Sequence, residues 1–188
     1  MPQIRPVEHA VDLLALHRVN PQRYPYLLQS VAHGPDQARF DILFAFPGES
    51  IRLDQHSPDF LQQLDQQWQA AAADVLSEEI SDLPFSGGWF LYLGYELAAQ
   101  VEPSLSLPPA TDGLPVAYAA RVPAAVIVDH QQQQTFLLAE TGRASLLDAM
   151  AADLAQSSNT ASVASAPLTL SLNEDDPQRY LQGVERIK

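Results

Sequence analysis

The 188-residue chain contains no cysteine. That absence excludes disulfides, thiolate nucleophiles and zinc–thiolate sites. Basic residues are scarce: ten Lys and Arg stand against 23 Asp and Glu, a formal net charge of −13. A surface this acidic repels phosphate backbones and anionic lipid, which argues against nucleic-acid and membrane-surface binding. An anionic small ligand would need a locally positive site, and no basic cluster in the sequence provides one. Long apolar runs are missing too, with nothing approaching the roughly 18–20 uninterrupted apolar residues of a membrane span. The opening Met1-Pro2-Gln3-Ile4-Arg5 lacks the charged and apolar regions of a signal peptide. A soluble cytoplasmic protein is expected. No self-similarity appears at the roughly 20–50-residue periods of solenoids and propellers.

What is present suffices for a core, since 46% of the residues are apolar, an ordinary share for a globular domain. Residues 7–17 place Val7, Val11, Leu13 and Leu14 on one stripe and predict a helix, ended by Asn20-Pro21. Tyr26 to Ser30 reads as a short strand and Arg39 to Phe46 as a buried one, rich in aromatic and branched residues. After the turn Pro47-Gly48-Glu49-Ser50, Ile51 to Asp54 alternates as a half-exposed hairpin partner would. Ser57-Pro58-Asp59 is a helix start with a capping hydroxyl and Pro at the first helical position. The helix it opens carries Phe60, Leu61, Leu64, Trp68, Val75 and Leu76.

Further strands are predicted over Gly87 to Gly94, Val116 to Ala119, Ala124 to Asp129 and Thr135 to Leu138, the last two forming a hairpin through a polar turn. Residues 102–115, with Pro103, Pro108, Pro109 and Gly113, read as an irregular loop. A helix is expected over 142–155, on Leu146, Leu147, Met150 and Leu154, followed by a linker over 156–175 that includes the low-complexity run Gln156 to Ala166 and an extended Leu168-Thr169-Leu170. Asp176-Pro177 opens a last amphipathic helix with Tyr180, Leu181, Val184 and Ile187 on one stripe and no capping signal after it. Such a stripe must be buried against something, so residues 176–188 are expected to begin a second domain after a first one spanning 1–155.

Little in the chain carries catalytic chemistry. The five histidines, His9, His17, His33, His56 and His130, lack metal-binding spacing and read as surface or turn residues. No serine lies in a G-x-S-x-G context. Ser86-Gly87-Gly88 lacks the lysine and the spacing of a phosphate loop; glycines flanking an aromatic strand instead permit a close backbone approach. One cluster supports a ligand. Leu27-Leu28-Gln29-Ser30 and Gln37-Ala38-Arg39-Phe40 bring a hydroxyl, amides, a guanidinium and an aromatic ring to the ends of two adjacent strands. An amino-acid ligand needs such donors and acceptors beside an apolar slot, while a buried polar pair closing a sheet edge would need the same residues. The residues alone lead to a soluble α+β domain with a candidate small-ligand site.

Several segments, taken in order, resemble the N-terminal region shared by component I of anthranilate synthase and of aminodeoxychorismate synthase. They are Tyr26 to Ser30, Ala38 to Ile42, Leu83 to Gly88, Leu93 to Glu96, Leu114-Pro115, Ile127 to His130 and Tyr180 to Lys188. The resemblance implies an α+β fold, a two-layer antiparallel β-sandwich flanked by helices. It places the start of the chorismate-binding catalytic half at the last helix. It further implies a tryptophan pocket on Ser30, Gln37, Ala38, Arg39 and Phe40. No catalytic residue and no cofactor are expected in this chain, Mg²⁺ belonging to the catalytic half, and a glutamine amidotransferase is the expected partner. Anthranilate synthases usually carry Leu-Leu-Glu-Ser where this chain has Gln29. Loss of that carboxylate, with Gly94-Tyr95-Glu96 and Ile127 to His130, points to the folate branch. The tryptophan branch and a freestanding small-molecule-binding domain are the alternatives.

Overall fold

The computed structural model describes residues 2–9, 11–30, 38–54, 59–72, 82–108, 111, 113–157 and 176–187. Two antiparallel sheets stack face to face. The larger has five strands in the order β1 (Gln3–Val7), β8 (Gln134–Ala139), β7 (Ala124–Asp129), β3 (Phe40–Ala45) and β2 (Tyr26–Leu28). The smaller has three, in the order β4 (Ser50–Leu53), β6 (Ala117–Val122) and β5 (Gly88–Leu93). Helices α1 (Leu13–Val19) and α4 (Ala144–Ser157) cover the outer face of the larger sheet, and α2 (Phe60–Ala72) covers that of the smaller. A short turn of 3-10 helix (Tyr95–Leu97) leads into α3 (Ala98–Val101), and α5 (Pro177–Ile187) closes the order. This is the helix-flanked antiparallel sandwich that the resemblance implied.

The period-two alternation of the strands builds the layers. Along β3, Leu43 and Ala45 face α1 and α4, whereas Phe40, Ile42 and Phe44 point between the sheets. In β7, Ala124 and Val126 face the helices while Ala125 and Ile127 face inward. On β6, Ala117 and Ala119 meet α2, and Val122 joins the inner layer with Phe85 and Phe90. Pro123 makes the crossing from β6 of one sheet to β7 of the other, a place where a missing N–H breaks no ladder.

Three expectations are corrected. The predicted helix over 7–17 is instead β1 followed by α1, with Leu13 and Leu16 buried and Leu14 exposed. Val7 belongs to an edge strand that tolerates Pro6 opposite Phe136, and the helix starts only where the Asp12 carboxylate caps the N–H of Ala15. Secondly, β4 does not form a hairpin with β3: the turn at 46–49 carries the chain across the sandwich, and β4 pairs with β6. Thirdly, Gln156 and Ser157 belong to α4 and not to a linker. The cap at Ser57-Pro58, the positions Val75 and Leu76, and residues 158–175 lie outside the described residues.

Candidate ligand site

The end of the larger sheet where β2 leaves and β3 enters is pinned by two buried carboxylates. Strand pairing places them: Leu28 lies opposite Ile42, and Phe40 opposite Asp129. The chain leaving β2 therefore meets the start of β3 and the β7–β8 turn at one point. His130 closes it, its backbone N–H donating to the Arg39 carbonyl at 2.8 Å.

Asp129 is fully buried. Its Oδ2 accepts from Nε and Nη2 of Arg39 at 3.1 and 2.8 Å, and its Oδ1 accepts the N–H groups of Gln131 and Gln132 at 2.9 and 3.1 Å. One side chain thus starts the hairpin turn and holds a cation. The Arg39 hydrogen bonds, helped by the two turn amides, keep the Asp129 carboxyl below its ordinary range against the opposing effect of burial. The same hydrogen bonds raise Arg39 above its own. The held guanidinium lies 4.5 Å from the centroid of the Phe40 ring, cation–π distance.

Asp41 is the second anchor. Buried in the middle of an apolar strand, it accepts the Ser30 N–H at 2.8 Å on Oδ1; on Oδ2 it meets His130 Nε2 at 3.0 Å and, at a long 3.4 Å, Gln29 Nε2. Ser30 Oγ donates to the Phe40 carbonyl at 3.0 Å. The two residues that leave β2 are therefore fixed by side chain and backbone to β3.

Of the residues predicted for the site, Ser30, Arg39 and Phe40 come together here, Ala38 precedes Arg39 in the chain, and Gln37 lies outside the described residues. Ser30 Oγ keeps its lone pairs as acceptors and Arg39 keeps further N–H donors, so an ammonium or indole N–H and a carboxylate each have a counterpart. Sequence reasoning missed Asp41, Asp129 and His130 as site residues. A carboxylate inside the Phe-Asp-Ile alternation was the available signal for Asp41. Among the described residues no group of three or more His, Asp and Glu side chains is arranged to hold a metal ion.

No protein-family model matches the sequence, and no curated protein resembles it closely enough to count as a relative. Solved structures do resemble it. The helix-flanked sandwich is the fold of part of a component I subunit. One such structure, anthranilate synthase component I from Streptococcus pneumoniae TIGR4, superposes with a TM-score of 0.53 at 21% identity over 95% of this chain. The chain spans 42% of that protein's length.

Proposed function

We propose that the chain is the N-terminal, structural and ligand-binding part of a synthase subunit that adds ammonia to chorismate, giving 4-amino-4-deoxychorismate for folate synthesis. A glutamine amidotransferase partner supplies the ammonia, and tryptophan occupies the end of the larger sheet. One observation carries this reading. Leu-Leu-Gln-Ser, Arg-Phe-Asp and Ile-Val-Asp-His, three of the segments that resemble the family, meet as hydrogen-bonded partners across up to 90 residues of sequence. The exposed Tyr180, Leu181, Val184 and Ile187 of α5 offer a catalytic half a surface to cover. A second reading, the same region of an anthranilate synthase with tryptophan as feedback inhibitor, is equally consistent with the fold of the solved structure named above.

Calorimetric titration of L-tryptophan into the full-length protein, beside assays of chorismate amination, tests both. Binding without inhibition of amination supports the folate branch; inhibition of anthranilate formation moves the assignment to the tryptophan branch. The chain alone is expected to aminate nothing, and amination by it would overturn the assignment. Arg39→Ala is expected to weaken tryptophan about tenfold by removing a charge-assisted hydrogen bond; unchanged affinity takes Arg39 out of the pocket.

A further inference from the structure

Away from that site, a shallow cavity of 260 Å³ lies between α2 and the outward face of β5, lined by Leu61, Leu64, Asp65, Trp68, Trp89 and Leu91. The chain has two tryptophans, and both line this groove. Leu61, Leu64 and Trp68 follow each other at helical spacing, so α2 presents one apolar stripe that runs past the sheet. Its far end stays open: Trp68 is 57% exposed and Leu91 45%. The single charged group in the lining is Asp65. Its Oδ2 accepts from Gln69 Nε2 at 2.8 Å, and no cation among the described residues is paired with it.

We propose that this groove is a docking site for an arginine side chain on the surface of a protein partner. The chemistry selects it stepwise. A wholly apolar occupant would cover the Asp65 carboxylate without a partner, which costs free energy. An anionic one would meet that carboxylate and a chain of net charge −13. A cation on an apolar stem satisfies every wall. The arginine methylenes lie along Leu61, Leu64 and Leu91, the planar guanidinium stacks on an indole, and its N–H groups reach Asp65. The net charge steers a basic surface toward the chain before contact.

Because both tryptophans line the groove, the intrinsic fluorescence of the whole chain reports on it. The probe is the capped tripeptide acetyl-Gly-Arg-Gly-amide, titrated into the millimolar range, beside its citrulline counterpart, which keeps the shape and loses the charge. A saturable emission change with the arginine peptide is expected, about tenfold weaker with citrulline, and about fivefold weaker in Asp65→Asn. Asp65 is exposed and bonded only within its helix, so this variant is expected to melt with the parent. The comparison of the two peptides on the unaltered chain stands even if it does not. Equal response to citrulline would mean an apolar groove and overturn the proposal, as would no saturable response. A concentration-dependent emission change without peptide, with dimers in sedimentation, would assign the groove to a second copy and overturn it equally.

Discussion

The two helix-covered faces of the sandwich are built to different densities. Over the larger sheet, α1 and α4 bury Leu16, Met150 and Leu154 against Leu43, Val126 and Leu137. Asp153 then ties α4 down, accepting from Arg23 Nη1 at 2.6 Å and from the Tyr24 hydroxyl at 2.7 Å. Burial first, and this hydrogen bond second, push the Tyr24 hydroxyl well above its ordinary range. Over the smaller sheet, among the described residues, α2 packs Phe60 with Leu97 onto Ile51 and Leu53 and leaves Trp68, Leu91 and Leu93 exposed. The first face is where packing holds the fold together. The second has apolar surface to spare, and that is where recognition can be added without loss of stability.

The largest expected effect follows from this contrast. Met150 is completely buried in the dense face, so Met150→Ala should cost about 3 kcal/mol, as deletion from a core that cannot collapse does. Leu64, half-buried on the sheet-facing side of α2, should cost about 1 kcal/mol when cut to alanine, because part of its side chain is already wet. Urea unfolding of both variants measures the gap. Equal losses would show that the two faces are equally packed and remove the contrast.

Next in size is Asp129→Asn, which cuts into the dense sheet at the ligand end. The amide has one acceptor oxygen, so if it still accepts from the turn its NH2 group faces the Arg39 donors and the ion pair is lost; a loss of about 2 kcal/mol is expected near neutral pH. The sign of its pH dependence is fixed. A carboxyl whose pKa is lowered by folding contributes stability that is present above its unfolded value, about 4, and lost as pH falls through the folded value. The difference between parent and variant should therefore shrink below about pH 4. A difference that stays constant down to acid would mean that the ion pair is not what Asp129 supplies.

Most strands were legible because their residues alternate or are wholly apolar, and the ranges of β5, β7 and β8 differ from the expected ones by a residue or so. Strand β1 was not, since Gln3-Ile4-Arg5-Pro6-Val7 is short, polar and contains a proline; only pairing with β8 makes it a strand. The partner of β4 was hidden for a related reason. Alternation reports which face is buried and says nothing of which sheet receives it. At the ligand end, Ser30 and Arg39 could be picked out by residue type, whereas their anchors could not. Asp41 and Asp129 matter through long-range pairing, and the lone-looking His130 becomes a partner only when β7 lies beside β3.

The seam between the two sheets offers the smallest and most discriminating test. Arg121 of β6 donates to the Gly88 carbonyl at 2.8 Å and to Glu140 Oε1 at 2.5 Å, so one side chain joins the smaller sheet to the residue that follows β8 of the larger. Gly87 sits against this pair with φ of +112°, and a Cβ there would overlap the Glu140 side chain. Gly87→Ala should cost about 1–2 kcal/mol, from backbone strain and from displacing Glu140. The two causes separate in a double-mutant cycle with Glu140→Ala. If displacement dominates, Gly87→Ala becomes nearly free once Glu140 is gone. If strain dominates, the cost is unchanged, and the seam depends on glycine for its backbone and not for the space it leaves.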